Sequence, residues 1–486
     1  MALALPALLC FVCGLALVSA AWSRRGPLAW DLMVRSSLAV GYGFGIFSVA
    51  FFLSRAFDVT NLVAVDLAVC AILLVVFLLL RNHGKVVATL APPTETLSLQ
   101  RWLQFILTAE FAVSLCAALY SAIMRTLAHP HGDGWDAFSI WNLHARFLFL
   151  GGAHWRDGFS RLIPWSHPDY PLLLSGTIAH FWSYVGSDGP TVPAVIGLLF
   201  TFSTVSLLFS ALFILRGRTC AMLGGLTLLT TPFFIEQGTS QYADVPLSFF
   251  LLATVTPLCL HDQHSGDSTG SHRPGLIVLA GLAAGFAAWT KNEGLLFLCA
   301  IVAARLMILL RPGSRSDSDP QPAQESSRDR MVAFATLLAA VAPAFLLIAW
   351  FKHFIAPPGD LFSDPATALH KLIDPTRYWA IMKWYGKGFL RFGHWLLLPG
   401  TLLLPALYLA TRAESTRNPG DGFRSSRLAL VLTLCGYFAI YLITPYDIYW
   451  HLRFSLTRLF LQLWPSTIFL FFLTFPWGRE TAVRRH

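Results

Sequence analysis

The sequence predicts an all-α polytopic membrane protein, a helical bundle of about thirteen spans. Three observations carry this. Of 486 residues, 55% are apolar and 13% charged, about half the ~25% charged share of soluble domains, and mean hydropathy is +0.60. Apolar runs of the ~20 residues that a bilayer demands recur along the chain. Short basic loops separate those runs. Aromatics reach 14%, with 16 Trp and 39 Phe, which suits lipid contact and interfacial belts. A disordered, collagen-like or ordinary soluble chain is excluded. The net charge of +9 sits in short loops, so it reads as positive-inside topology and not as a nucleic-acid footprint. The 8 cysteines lie in or beside apolar runs and imply no disulfide framework; Cys10 and Cys13 read as small apolar filling.

The runs divide the chain. Spans 3–21, 36–54 and 61–80 form an N-terminal three-helix segment within 1–100. The first has no basic n-region and no cleavage site, so it reads as a retained helix. Spans 103–124, 192–215, 219–235, 245–261, 275–290 and 294–311 build a core over 101–311. An Arg-, Ser- and Pro-rich stretch at 312–330 reads as a flexible cytoplasmic linker. Spans 332–354, 393–411, 428–445 and 456–476 complete a C-terminal part, 331–486. Placing the basic loops in the cytoplasm puts the N-terminus outside and the C-terminus inside. That alternation closes only if the apolar stretch 170–186 does not cross, so an interfacial or re-entrant helix is expected there. The outer face then carries large loops at about 125–190 and 355–392, and turns at 236–244, 291–294 and 446–455.

Those outer segments hold nearly all the sharp chemistry. From Asp136 an apolar pattern through Phe138, Trp141, Phe147 and Phe149 predicts an amphipathic interfacial helix that Asp136 either caps or uses to present a general base. Asp133 is the alternative base. Asp169 stands between Pro168 and Pro171, and Asp244 opens a span, where an acid also suits a helix N-terminus. The cations are Lys291, between two short spans, and Arg458, inside an apolar run where a charge is costly. Arg453, His451, Arg377 and Lys383 are further phosphate-binding candidates, arginine because its fork takes two oxygens. Neither Lys291 nor Arg458 has a carboxylate four residues away on its own helix, so replacing either by Met is expected to leave the fold intact. Asp136, Asp244 and His167 are weak metal candidates; no spacing fits a zinc pattern, and a divalent cation is left open.

Taken in order, these motifs resemble the GT-C superfamily of membrane glycosyltransferases, in particular lipid A aminoarabinose transferases and protein O-mannosyltransferases. Asp136, or else Asp133, looks like their acid in the first outer loop. Asp169-Tyr170-Pro171 is similar to their acid-Lys-Pro motif but lacks the lysine. Asp244 looks like their third acid, and the segment from Gly281 to Lys291 like their helix end. The likeness covers roughly 101–310 and leaves the first three spans as an addition. It implies a GT-C-like bundle and an inverting transfer of sugar from a polyprenyl-phosphate donor to a hydroxyl of a lipid-linked or glycan acceptor. The site would lie on the extracytoplasmic face, with a bacterial inner or plasma membrane as the expected location and membrane lipids as further partners. The competing classes are a transporter or lipid flippase, which should show repeats and midplane charges, and a non-catalytic GT-C-like subunit.

Overall fold

The computed structural model describes residues 2–22, 27–81, 101–262, 274–311, 327–362, 365–395, 401–402, 404 and 420–474. Among these the regular structure is entirely helical, as a chain that must satisfy its own backbone in lipid requires. In order, α1 (Ala4–Ala21), α2 (Leu28–Ala56), α3 (Leu62–Arg81) and α4 (Arg101–Ala128) lead to the first loop, which holds α5 (Asn142–Leu150) and α6 (Leu173–Val185). Next come α7 (Thr191–Arg216), α8 (Arg218–Leu229), α9 (Pro232–Thr239), α10 (Asp244–Asp262), α11 (Pro274–Thr290) and α12 (Asn292–Leu309). The last are α13 (Ser327–Phe354), α14 (Pro365–Leu372), α15 (Pro375–Arg391), α16 (Asp421–Ile443) and α17 (Ile448–Thr474).

Among the described residues ten helices are long and apolar enough to cross a membrane, and the pair α8 and α9, bent by 64°, makes an eleventh span if counted as one. The 17-residue α11 is shorter but alternates with them. Twelve of the expected runs therefore have a helical counterpart, and the thirteenth, 393–411, falls mostly outside the described residues. The expected single run 219–235 is broken because Pro232 starts a new helix after the extended Thr231, where its missing N–H costs nothing.

The stretch 170–186 differs from a surface helix. Its α6 has 13 residues, and Leu173 through Trp182 are all buried, with Thr177 donating to the Phe44 carbonyl of α2 at 3.3 Å. At ~1.5 Å rise per residue it spans about 20 Å, too short to cross. It is an internal helix, because its circumference is apolar or small apart from His180 and Tyr184, which Asp66 of α3 engages at 2.9 and 2.5 Å. The first loop likewise is no free interfacial helix. A π-helical turn at Ala137–Trp141 feeds α5, and Asn142, His144, Ala145 and Leu148 are buried.

The first three spans do not stand apart from the rest. α2 runs through the core, where Tyr42 donates to the Leu279 carbonyl of α11 at 2.6 Å and Ser37 meets Ser206 of α7 at 2.7 Å. α1 lies directly on α2 through glycine: a Cβ at Gly43 would fall 2.0 Å from the Cys10 carbonyl, and one at Gly14 2.0 Å from the Ala39 carbonyl. Small residues at such crossings let backbones approach. We expect Gly43→Ala to lower the thermal unfolding midpoint in detergent, at a cost of about 1–3 kcal/mol from overpacking. Gly386→Ala on α15, where a Cβ meets nothing within 4 Å, should be neutral or stabilising.

Candidate functional site

Arg458 is the centre of the site. Its place on α17 points it at two acids from distant segments. Nε and Nη2 reach Oδ2 of Asp244 at 2.8 and 2.7 Å, and Nη1 reaches Oδ2 of Asp136 at 2.7 Å. Tyr242 lies beneath the guanidinium, with its ring centroid 4.6 Å away. Asp244 is wholly buried. Its other oxygen takes Lys291 Nζ at 3.1 Å and Gln462 Nε2 at 2.6 Å, and Tyr437 fixes that glutamine at 2.7 Å. A buried carboxylate demands such partners. Lys291 sits on the extended residue between α11 and α12 and also pairs with Glu293 at 2.8 Å.

Asp136 does not cap a helix; its backbone is already helical and its side chain makes no capping bond. That oxygen is spent on Arg458, while Oδ1 bonds no side chain among the described residues and the side chain is 24% exposed. Asp133 lies outside the cluster, in a surface pair with Arg125 at 2.6 Å. The turn between them is held by Tyr242, whose hydroxyl donates to the Asp133 carbonyl. Gly134 is needed there: its φ is +119°, and a Cβ would strike the Tyr242 hydroxyl at 2.5 Å.

Asp169 joins a second knot beside the first. Asn292 Nδ2 donates to its Oδ2 at 2.8 Å, and Lys352, at the end of α13, reaches Oδ2 at 3.2 Å, Asn292 Oδ1 at 2.8 Å and the Asp169 carbonyl. Since Asn292 adjoins Lys291, one short connection carries both knots. Tyr170 stacks between Trp141 and His167 at centroid distances of 5.6 and 4.7 Å, and Lys291 lies 5.9 Å from its ring. His167 and Gln241 adopt left-handed backbone at φ 49° and 60°, strain typical of functional turns. Gln241 ties the Pro130 carbonyl to Asn142 at 2.8 and 3.0 Å.

The remaining candidates stand elsewhere. Arg377 caps α16, donating to the carbonyls of Leu442 and Tyr441 at 2.8 and 3.0 Å, as a cation at a helix C-terminus does. Lys383 and Arg453 are exposed, the latter over Phe454. His451 is engaged by Thr444 at 2.8 Å. The metal candidates do not converge: among the described residues no group of three His, Cys, Asp or Glu is placed to hold an ion, because Asp136 and Asp244 are bridged by arginine. Lys352, Asn292, Glu293 and Gln462 were not legible as site residues. A lysine ending the apolar run of α13 was the one signal available.

Burial lowers the His167 imidazole below its ordinary pKa, and burial pushes His144 down to about 3. Neither ring nitrogen of His144 has a hydrogen-bond partner among the described residues. No protein-family model, curated protein or solved structure matches the chain.

Two outcomes follow from these contacts. The ammonium of Lys291 meets Asp244 from α10 and Glu293 two residues along, so the expectation that Lys291→Met leaves the fold intact gives way to a stability cost. Lys291→Met should lower the midpoint of a thermal melt by the equivalent of about 1.5–3 kcal/mol, the scale of a lost charged hydrogen bond, because Asp244 keeps Arg458 and Gln462 while Glu293 loses its ammonium. His144 binds a proton more readily unfolded than folded, so stability should be steady above its unfolded pKa and fall as pH drops from ~6.5 toward its folded value, by up to ~1.4 kcal/mol per pH unit. His144→Phe should reduce the slope of denaturation midpoints between about pH 6.5 and 5 without abolishing it, because buried His167 titrates with the same sign.

Proposed function

We propose that this chain is a GT-C-type membrane glycosyltransferase that moves a sugar from a polyprenyl-phosphate donor to an acceptor hydroxyl with inversion. The observation supporting it is the meeting of Asp136, Asp244, Lys291 and Arg458 at one end of the bundle. Asp136 is the base: one oxygen is oriented by arginine and the other is open. The acceptor oxygen bonds to the anomeric carbon as the bond from that carbon to the donor phosphate oxygen breaks, and the acceptor proton passes to Asp136. The lipid phosphate leaves with the bonding pair. Lys291 has one ammonium proton left after Asp244 and Glu293, and Arg458 has two N–H groups left after its three bonds. These face the growing charge, which they stabilise more than the ground state. Asp244 is a positioning residue that holds both cations. Asp169 fixes the loop through Lys352. The site would lie on the extracytoplasmic face of a bacterial inner or plasma membrane, with the N-terminus outside and the C-terminus in the cytoplasm. The acceptor would be lipid-linked or a glycan.

Asp136→Asn keeps an oxygen for Arg458 but removes the base. In nanodiscs, initial rates over a panel of polyprenyl-phosphate sugars should fall ~10²–10⁴-fold while the elution profile and melt stay near wild type. Asp133→Asn should stay near wild-type rate, since an exposed pair contributes at most ~1 kcal/mol. Full turnover by the Asp136 variant would remove the proposed base. Lipid transport by proteoliposomes without any transfer product would replace the enzyme reading with a flippase.

A further inference from the structure

α15 carries three longitudinal stripes. The inner one packs on the bundle: Ile381 and Gly388 are buried, and Tyr385 meets Phe438 of α16 and Phe460 of α17 at centroid distances of 5.6 and 5.4 Å. The second stripe is apolar yet exposed, with Trp379 at 73%, Met382 at 59%, Leu390 at 50% and Phe389 at 42%, and Ile373 just before the helix, at 74%, extends it. The third stripe is Lys383, Lys387 and Arg391, four residues apart and therefore aligned along one flank; all three are exposed. The helix contains no acid. Lys387 is steadied 5.9 Å from the Trp384 ring.

This helix is fixed in place. Arg377 holds the end of α16, Asp374 caps the N-terminus by accepting from Thr376, and a Cβ at Gly388 would fall 2.9 Å from Leu456. Its neighbours α16 and α17 are both long and apolar enough to cross a membrane. It meets α17 through Leu456 and Phe460, two residues either side of Arg458 and hence about 200° around the helix from it. The stripe thus lies on the outside of the bundle, away from the ion cluster. An apolar band with a tryptophan, flanked by cations on a helix that runs obliquely from the end of α16 onto the N-terminal half of α17, matches an interfacial helix. The uncompensated positive flank complements anionic headgroups.

We propose that α15 lies in the membrane surface, its Trp379–Met382 edge among acyl chains, and that Lys383, Lys387 and Arg391 form a binding stripe for the phosphates of anionic phospholipids. The proposal is independent of glycosyl transfer. In nanodiscs, bimane on Met382→Cys, read against labelled unsubstituted protein, should be quenched by acyl-brominated phospholipid and not by aqueous iodide. By native mass spectrometry, Lys383→Gln/Lys387→Gln/Arg391→Gln should bind phosphatidylglycerol roughly tenfold more weakly, with phosphatidylcholine binding unchanged. Lys383→Arg/Lys387→Arg should bind phosphatidylglycerol as wild type does, which separates lost charge from misfolding. Quenching by iodide alone, unchanged phosphatidylglycerol affinity in the glutamine variant, or efficient cross-linking of Cys at 382 to a second copy would each overturn the proposal.

Discussion

A carboxylate with no access to water governs this end of the molecule. Asp244 is fully buried at the start of α10, and desolvating a charge is tolerable only where partners replace its water. Those partners come from α17, through Arg458 and Gln462, and from the α11–α12 connection, through Lys291. One acid therefore locks three segments far apart in sequence. Arg458 then extends the network to Asp136, so the first loop is positioned by the same charge.

The second knot shares a backbone with the first. Lys291 and Asn292 are consecutive and face Asp244 and Asp169 respectively. Lys352 closes the second knot from α13. The chain beyond α13 then crosses so near that a Cβ at Gly359 would fall 3.0 Å from Asp169 Oδ2. Movement of either acid is thereby coupled to the other through one short, extended link. A rigid frame of this kind suits a base that must keep its open oxygen aimed.

The acids divide by what surrounds them. Asp244 has both oxygens saturated, whereas Asp169 and Asp136 each bond through Oδ2 and keep an Oδ1 with no side-chain bond among the described residues; Asp169 is held by an amide and an ammonium, and Asp136 by the arginine of the cluster. In sequence Asp136 and Asp244 both look like helix caps and Asp169 like a turn acid between prolines. Only partners distinguish them. The same holds for the cations: Arg377 and Arg458 both sit in aromatic, basic surroundings, yet one satisfies helix carbonyls and the other bridges two acids.

Hydropathy determined the membrane character, the helical class and nearly every long apolar helix among the described residues, because ~20-residue apolar runs have few alternatives in lipid. Residue type and order also marked Asp136, Asp169, Asp244, Lys291 and Arg458, since charges beside apolar runs are expensive enough to stand out. Tertiary structure decided the rest. It turned 170–186 into a buried helix, excluded Asp133 from the cluster, and drew in Lys352, Asn292, Glu293 and Gln462. The pairings of Asp169 with Asn292 and Lys352 and of Asp244 with Gln462 each join residues more than a hundred positions apart. Local periodicity carries no information about them, because the energy that selects them is the desolvation and pairing of charges once the helices have packed.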